Sequence, residues 1–81
     1  MTIGELIKEI EVLRIVGDTA KEIADIQFDS RRVGKGSLFV AQVGTAADGH
    51  TYIEQCVAKG AVAVVLEKEE YIQNDGACYI L

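Results

Sequence analysis

Two short apolar runs, Leu38-Phe-Val-Ala41 and Ala61-Val-Ala-Val-Val-Leu66, flank a segment with helical periodicity, and this arrangement limits the fold more than any other feature. A continuous apolar run of this length marks a strand covered on both faces. Between the runs, Ile53, Cys56, Val57 and Gly60 follow the i, i+3, i+4, i+7 spacing of one helix face. Asp48 is a good N-cap, Lys59 suits the negative end of the helix dipole, and Gly60 is a natural stop. Strand 38–42, a helix over about 50–59 and strand 61–66 therefore form a βαβ unit, parallel and right-handed. With 81 residues there is room for one small domain with a thin core, so every other element must attach to this unit.

The flanks supply those elements. Thr2 and Glu5 have the spacing of a capping box, and Ile3, Leu6, Ile7, Ile10 and Leu13 predict an amphipathic helix from about residue 2 to 12. Arg14–Val16 reads as a short strand ending at the Gly17-Asp18 turn. From Ile23 to Asp29 the pattern alternates, with Ala24, Ile26 and Phe28 on one face and Asp25 and Gln27 on a wet one. Residues 30–37 carry two glycines and read as a loop. It is too short for a helical crossover, so strands 23–29 and 38–42 are expected to be antiparallel. After residue 66 comes a polar excursion with one loose helical turn, then Asp75-Gly76 and a last strand, Ala77–Leu81. The expected fold class is α/β: a small mixed, mostly parallel sheet with flanking helices and one βαβ unit. An apolar strand at the C-terminus, with no polar tail, suggests a piece of a longer polypeptide.

Charge and composition narrow the function classes. Eight basic residues against thirteen acidic give a net charge of −5. Nucleic-acid binding needs a basic surface, so no nucleic-acid partner is expected. The apolar runs are too short to cross a bilayer and no signal-peptide pattern opens the chain, so no membrane partner is expected and the location defaults to the cytoplasm. Cys56 and Cys78 each lie in an apolar pattern and read as buried free thiols. With His50 the single histidine, no metal site is expected.

Two segments have places where a ligand could bind. The loop Gly44–Gly49 follows a buried strand and precedes a helix, where open parallel sheets bind ligands; the alternative is a plain connection. It is neither G-x-x-x-x-G-K-[ST] nor G-x-G-x-x-G. In Asp29-Ser30-Arg31 the Ser30 hydroxyl could meet a ligand carbonyl, or Asp29 and Arg31 could simply pair and cap the turn. His50 lacks the partners of a catalytic base, and no nucleophile or carboxylate pair can be assembled, so no catalytic residue is assigned.

The ordered run Phe28-Asp-Ser-Arg-Arg-Val-Gly-Lys-Gly-Ser-Leu-Phe-Val-Ala41, then Gly44-x-x-x-Asp-Gly-His-x-Tyr-Ile53, then Ala58-Lys-Gly-Ala-Val-Ala-Val-Val65 resembles the N-terminal domain of Mur ligases, of the UDP-N-acetylmuramoyl-tripeptide synthetase (MurE) type. The resemblance is strong over about residues 24–66. It implies that residues 1–81 are a UDP-substrate-binding N-terminal domain, truncated before its last helix, in a cytoplasmic ligase of peptidoglycan synthesis. The partners implied are UDP-N-acetylmuramoyl-dipeptide and the remaining domains of the same polypeptide. ATP and Mg2+ are expected in the parent enzyme and no cofactor in this stretch. Carried over by position, Phe28 and Ser30 match residues that touch the uridine, and Thr45, Ala46 and Ala47 match the loop along the nucleotide. Asp48, Gly49 and His50 look shape-keeping. Lys35 stands where the family often has proline, and Ser37 where many members have an acid. Two alternatives are the related D-alanyl-D-alanine-adding ligase and a non-catalytic interaction module of the same fold. The resemblance puts Ser30 and the 44–47 loop on one nucleotide, which antiparallel strands would not allow. A stretched loop crossing back over the sheet would reconcile them.

Overall fold

The computed structural model describes residues 1–43, 48–73 and 76–81. Five strands form one sheet: β1 (Ile15–Val16), β2 (Asp25–Gln27), β3 (Ser37–Val40), β4 (Ala63–Val65) and β5 (Cys78–Ile80), in the order β1-β5-β4-β3-β2. Strands β2 to β5 are parallel neighbours, and β1 pairs antiparallel with β5. The expected α/β class, with its mostly parallel mixed sheet, is what forms.

Alternation along the central strands divides the core in two. Phe39, Ala41, Val64, Leu66, Ala77 and Tyr79 point to one face, where Ile53 and Cys56 of helix α2 (Ile53–Ala58) cover them. Leu38, Ala63, Cys78 and Ile80 point to the other, against Ile3, Leu6 and Ile7 of helix α1 (Ile3–Ile7). Both cysteines are buried free thiols, and burial raises the pKa of each. Val33 from the β2–β3 connection and Tyr71 and Ile72 from the β4–β5 connection pack on the same face as α2. All three crossovers therefore share one hand.

Three expectations need correction. First, β2 and β3 are parallel, with Asp25 opposite Ser37 and Gln27 opposite Phe39. The return is made without a helix: a 3₁₀ turn, Ser30–Arg32, reverses the chain, and residues 33–36 run back to the start of β3. The strands are only about 10 Å long at ~3.3 Å per residue, so a short connection spans them. It is pinned by Gly36 N–H to the Gly60 carbonyl (2.9 Å), Ala24 N–H to the Gly36 carbonyl (2.8 Å) and Lys59 Nζ to the Ser30 carbonyl (2.9 Å). A side chain at Gly60, whose φ is +112°, would meet the Lys35 Cα at 2.8 Å, so this close approach requires glycine.

Second, the face of Ala24, Ile26 and Phe28 is not buried: Ile26 and Phe28 are 43% and 60% exposed. β2 is the sheet edge, beyond the reach of either helix. Third, α1 ends at Ile7 rather than near residue 12, leaving Ile10 and Leu13 exposed. Downstream the backbone is committed to β5, through Leu13 N–H to the Leu81 carbonyl (2.8 Å) and Leu81 N–H to the Arg14 carbonyl (2.9 Å). The Thr2–Glu5 capping box is present in both directions, at 3.1 Å each way.

Candidate functional site

The carboxyl ends of β2, β3 and β4 leave one open cleft of about 780 Å³, within the range of small-molecule sites. Phe28, Asp29 and Ser30 follow β2 into it; Ala41, Gln42 and Val43 follow β3; Leu66 and Glu67 follow β4; Gly49 and Tyr52 enter from the start of α2. Parallel pairing of β2 with β3 puts all these segments at one end of the sheet, where open parallel sheets bind ligands.

Of the residues singled out in the sequence, Phe28 and Ser30 line this cleft. Thr45, Ala46 and Ala47 lie outside the described residues. Their neighbours are placed: Val43 bridges Asp48, Gly49 N–H donates to the Gln42 carbonyl at 2.7 Å, and Val43 and Gly49 both border the cleft. A Cβ at Gly49 would meet the Gln42 backbone N at 2.8 Å and O at 2.9 Å, so only glycine closes the base of this loop.

Asp29 and Arg31 do pair and cap the turn. Asp29 Oδ1 accepts from the Arg31 backbone N–H (2.9 Å) and Oδ2 from its guanidinium (2.9 Å). The Arg31 side chain, then its backbone N–H, hold the Asp29 pKa at about 2. The Ser30 hydroxyl makes no hydrogen bond among the described residues; only its carbonyl is engaged, by Lys59 and Val33. Beside these groups, Phe28, Val43 and Tyr52 are 60%, 57% and 37% exposed, giving the cleft an apolar rim.

His50 holds two walls of the cleft together. It is buried, and its Nε2 accepts the backbone N–H of Glu67 (3.0 Å) and Lys68 (3.3 Å). Nδ1 therefore carries the proton and donates to Asp48 Oδ1 at 2.7 Å. The second Asp48 oxygen accepts from Lys68 Nζ, and Tyr71 packs at 5.5 Å from the imidazole centroid. Lys68 first, then the backbone and ring of His50, lower the Asp48 pKa. This circuit joins the segment leaving β3 to the segment leaving β4, which is a shape-keeping role.

Sequence reasoning missed Tyr52, Glu67 and Ser37. Tyr52 lies off the Ile53–Cys56 stripe at a helix start, and Glu67 directly follows a buried strand; both positions were available signals. Ser37, read as loop, begins β3 at 1% exposure, its hydroxyl donating to Asp25 Oδ1 (2.5 Å) and accepting from Gly34 N–H (3.0 Å). That contact lowers the Asp25 pKa, with Gln27 adding to it.

Among the described residues no group of three His, Cys, Asp or Glu side chains could hold a metal ion, and no helix is long and apolar enough to cross a membrane. The sequence has no Gly-Lys phosphate loop.

Comparison with known proteins follows the same lines. Residues 22–80 match the family model described as "Mur ligase family, catalytic domain". The UDP-N-acetylmuramoyl-L-alanyl-D-glutamate--2,6-diaminopimelate ligase of Parabacteroides distasonis is 50% identical over 68 residues, 84% of this chain and 14% of that protein. The ligase of the same name from Cytophaga hutchinsonii is 40% identical over 81 residues, 100% of this chain and 17% of that protein. Among solved structures, MurF from Acinetobacter baumannii has a TM-score of 0.62 at 27% identity, covering 73% of this chain and 12% of that one. The chain thus spans 14% and 17% of the length of the two curated relatives.

Proposed function

Because this chain belongs to the Mur ligase family, we propose that it is the substrate-holding part of an ATP-dependent ligase of peptidoglycan synthesis, and that its cleft takes the UDP moiety of UDP-N-acetylmuramoyl-dipeptide. The observation that carries this reading is the shared cleft: Phe28 and Ser30 after β2 face Val43 and Gly49 at the base of the 44–47 loop. An exposed aromatic ring and a hydroxyl with no partner among the described residues, both at one sheet end, suit a planar base with carbonyl groups. Thr45, Ala46 and Ala47 complete the proposed contact set. No residue of this chain is proposed as catalytic. ATP, Mg2+ and the incoming amino acid fall to other parts of a longer cytoplasmic polypeptide, which are the proposed partners of this domain.

Sequence identity favours the diaminopimelate-adding type, at 50% and 40%, over the D-alanyl-D-alanine-adding type, represented at 27% by MurF. Calorimetric titration of the chain with UDP tests the reading. One saturable, weak site is expected, and no binding at ligand concentrations of about 10 mM, weaker than ~3 kcal/mol of affinity, contradicts it.

A further inference from the structure

We infer that Lys68, which does not line the cleft, is a positioning residue for it. Its ion pair with Asp48 sets the spacing between the segment leaving β3 and the segment leaving β4, and through that spacing the affinity for nucleotide. The inference rests on the nucleotide reading above.

The ladder between β3 and β4 ends at Ala41 N–H to the Val65 carbonyl (2.8 Å). Beyond it the two chains part. Leu66 N–H turns to the Ile80 carbonyl of β5 (2.9 Å), while Gly49 N–H closes onto the Gln42 carbonyl (2.7 Å). Both segments still border the cleft, with Gln42, Val43 and Gly49 on one side and Leu66 and Glu67 on the other.

Two unlike links cross this gap. One is the buried ring of His50, whose Nε2 accepts from the Glu67 and Lys68 amides. The other lies nearer the surface: the Lys68 ammonium on Asp48 Oδ2, with the two side chains 39% and 23% exposed. Asp48 raises the pKa of Lys68, and Lys68, ahead of His50, lowers that of Asp48, so both are charged at neutral pH. Lys68 is thereby held twice, by its backbone on His50 and by its ammonium on Asp48. In sequence Asp48 adjoins Gly49 and Lys68 adjoins Glu67, and both neighbours are walls of the cleft. A part-exposed ion pair contributes little to folding. A displacement of about 1 Å, in contrast, is enough to spoil a fitted site.

The test compares the 81-residue chain with Lys68→Met and Lys68→Arg, by NMR titration with UDP and with uridine and by urea unfolding. Lys68→Met keeps the aliphatic stem and removes the charge. It is expected to weaken UDP binding about three- to tenfold while leaving the urea midpoint nearly unchanged. Lys68→Arg, which keeps a cation for Asp48, is expected to bind within about twofold of the unsubstituted chain. Uncharged uridine is expected to lose as much as UDP, which separates positioning from a direct pull of the ammonium on phosphate. Unchanged UDP affinity in Lys68→Met overturns the inference and leaves the cleft a nucleotide site. So does a loss confined to UDP, a loss that Lys68→Arg does not restore, or a loss matched by a fall in the urea midpoint. Failure of the unsubstituted chain to bind either ligand overturns the nucleotide reading together with it.

Discussion

Ser30 is placed for a contact that the fold itself does not use. Its hydroxyl has no partner among the described residues, so Ser30→Ala should leave the denaturation midpoint nearly unchanged. Loss of one neutral hydrogen bond to a ligand costs about 1 kcal/mol, and UDP affinity should fall roughly fivefold by calorimetry. Its neighbour Asp29 does the opposite work, fixing the turn through Arg31. Its folded pKa of about 2 lies below the ordinary 3.8, so its stabilising contribution is complete above about pH 4 and disappears as pH falls through the folded value. Carboxyl-carbon NMR shifts should show Asp29 still ionised at about pH 3, and Arg31→Ala should return its titration toward the ordinary range.

At the scale of elements, the cleft is three strand ends held in register by connections, and His50 is the link between two of them. Replacing it with alanine strands the Glu67 and Lys68 amides and removes one partner of Asp48. His50→Ala should cost about 2 to 4 kcal/mol in a urea unfolding curve, chiefly from the cavity left by the buried ring, with the loss of the acceptor for two part-buried amides adding to it. A loss under about 0.5 kcal/mol would mean the ring carries no such burden. This scale also shows what the sequence could reveal. The βαβ unit was legible because two apolar runs and a helical stripe each state their periodicity locally. The antiparallel expectation for β2 and β3 failed because loop length was judged against a helical crossover. A 3₁₀ turn at Ser30–Arg32 and four further residues suffice when the strand is three residues long. Nor does local pattern tell an edge strand from a half-buried one, so Ile26 and Phe28 read as the face turned away from water, though they are 43% and 60% exposed. For α1, the hydrophobic stripe through Ile10 and Leu13 was overridden by backbone pairing with Leu81, a long-range contact absent from any local window.

For the whole molecule, the same parallel topology produces both the core and the site. Crossovers on one face bury Phe39, Val64 and Tyr79, and they also bring the segments after β2, β3 and β4 to one end of the sheet. Phe28 and Ser30 could be named from motif resemblance alone, but their meeting with Val43, Gly49 and Tyr52 depended on strand direction, which the loop length had concealed. The most direct test is an amide NMR titration of the labelled chain with UDP. Shifts should concentrate at Phe28, Ser30, Val43, Gly49 and Tyr52, with the amides of α1 on the opposite face unmoved. Saturating shifts centred on α1 or β1, with those five amides still, would contradict the assignment of this cleft.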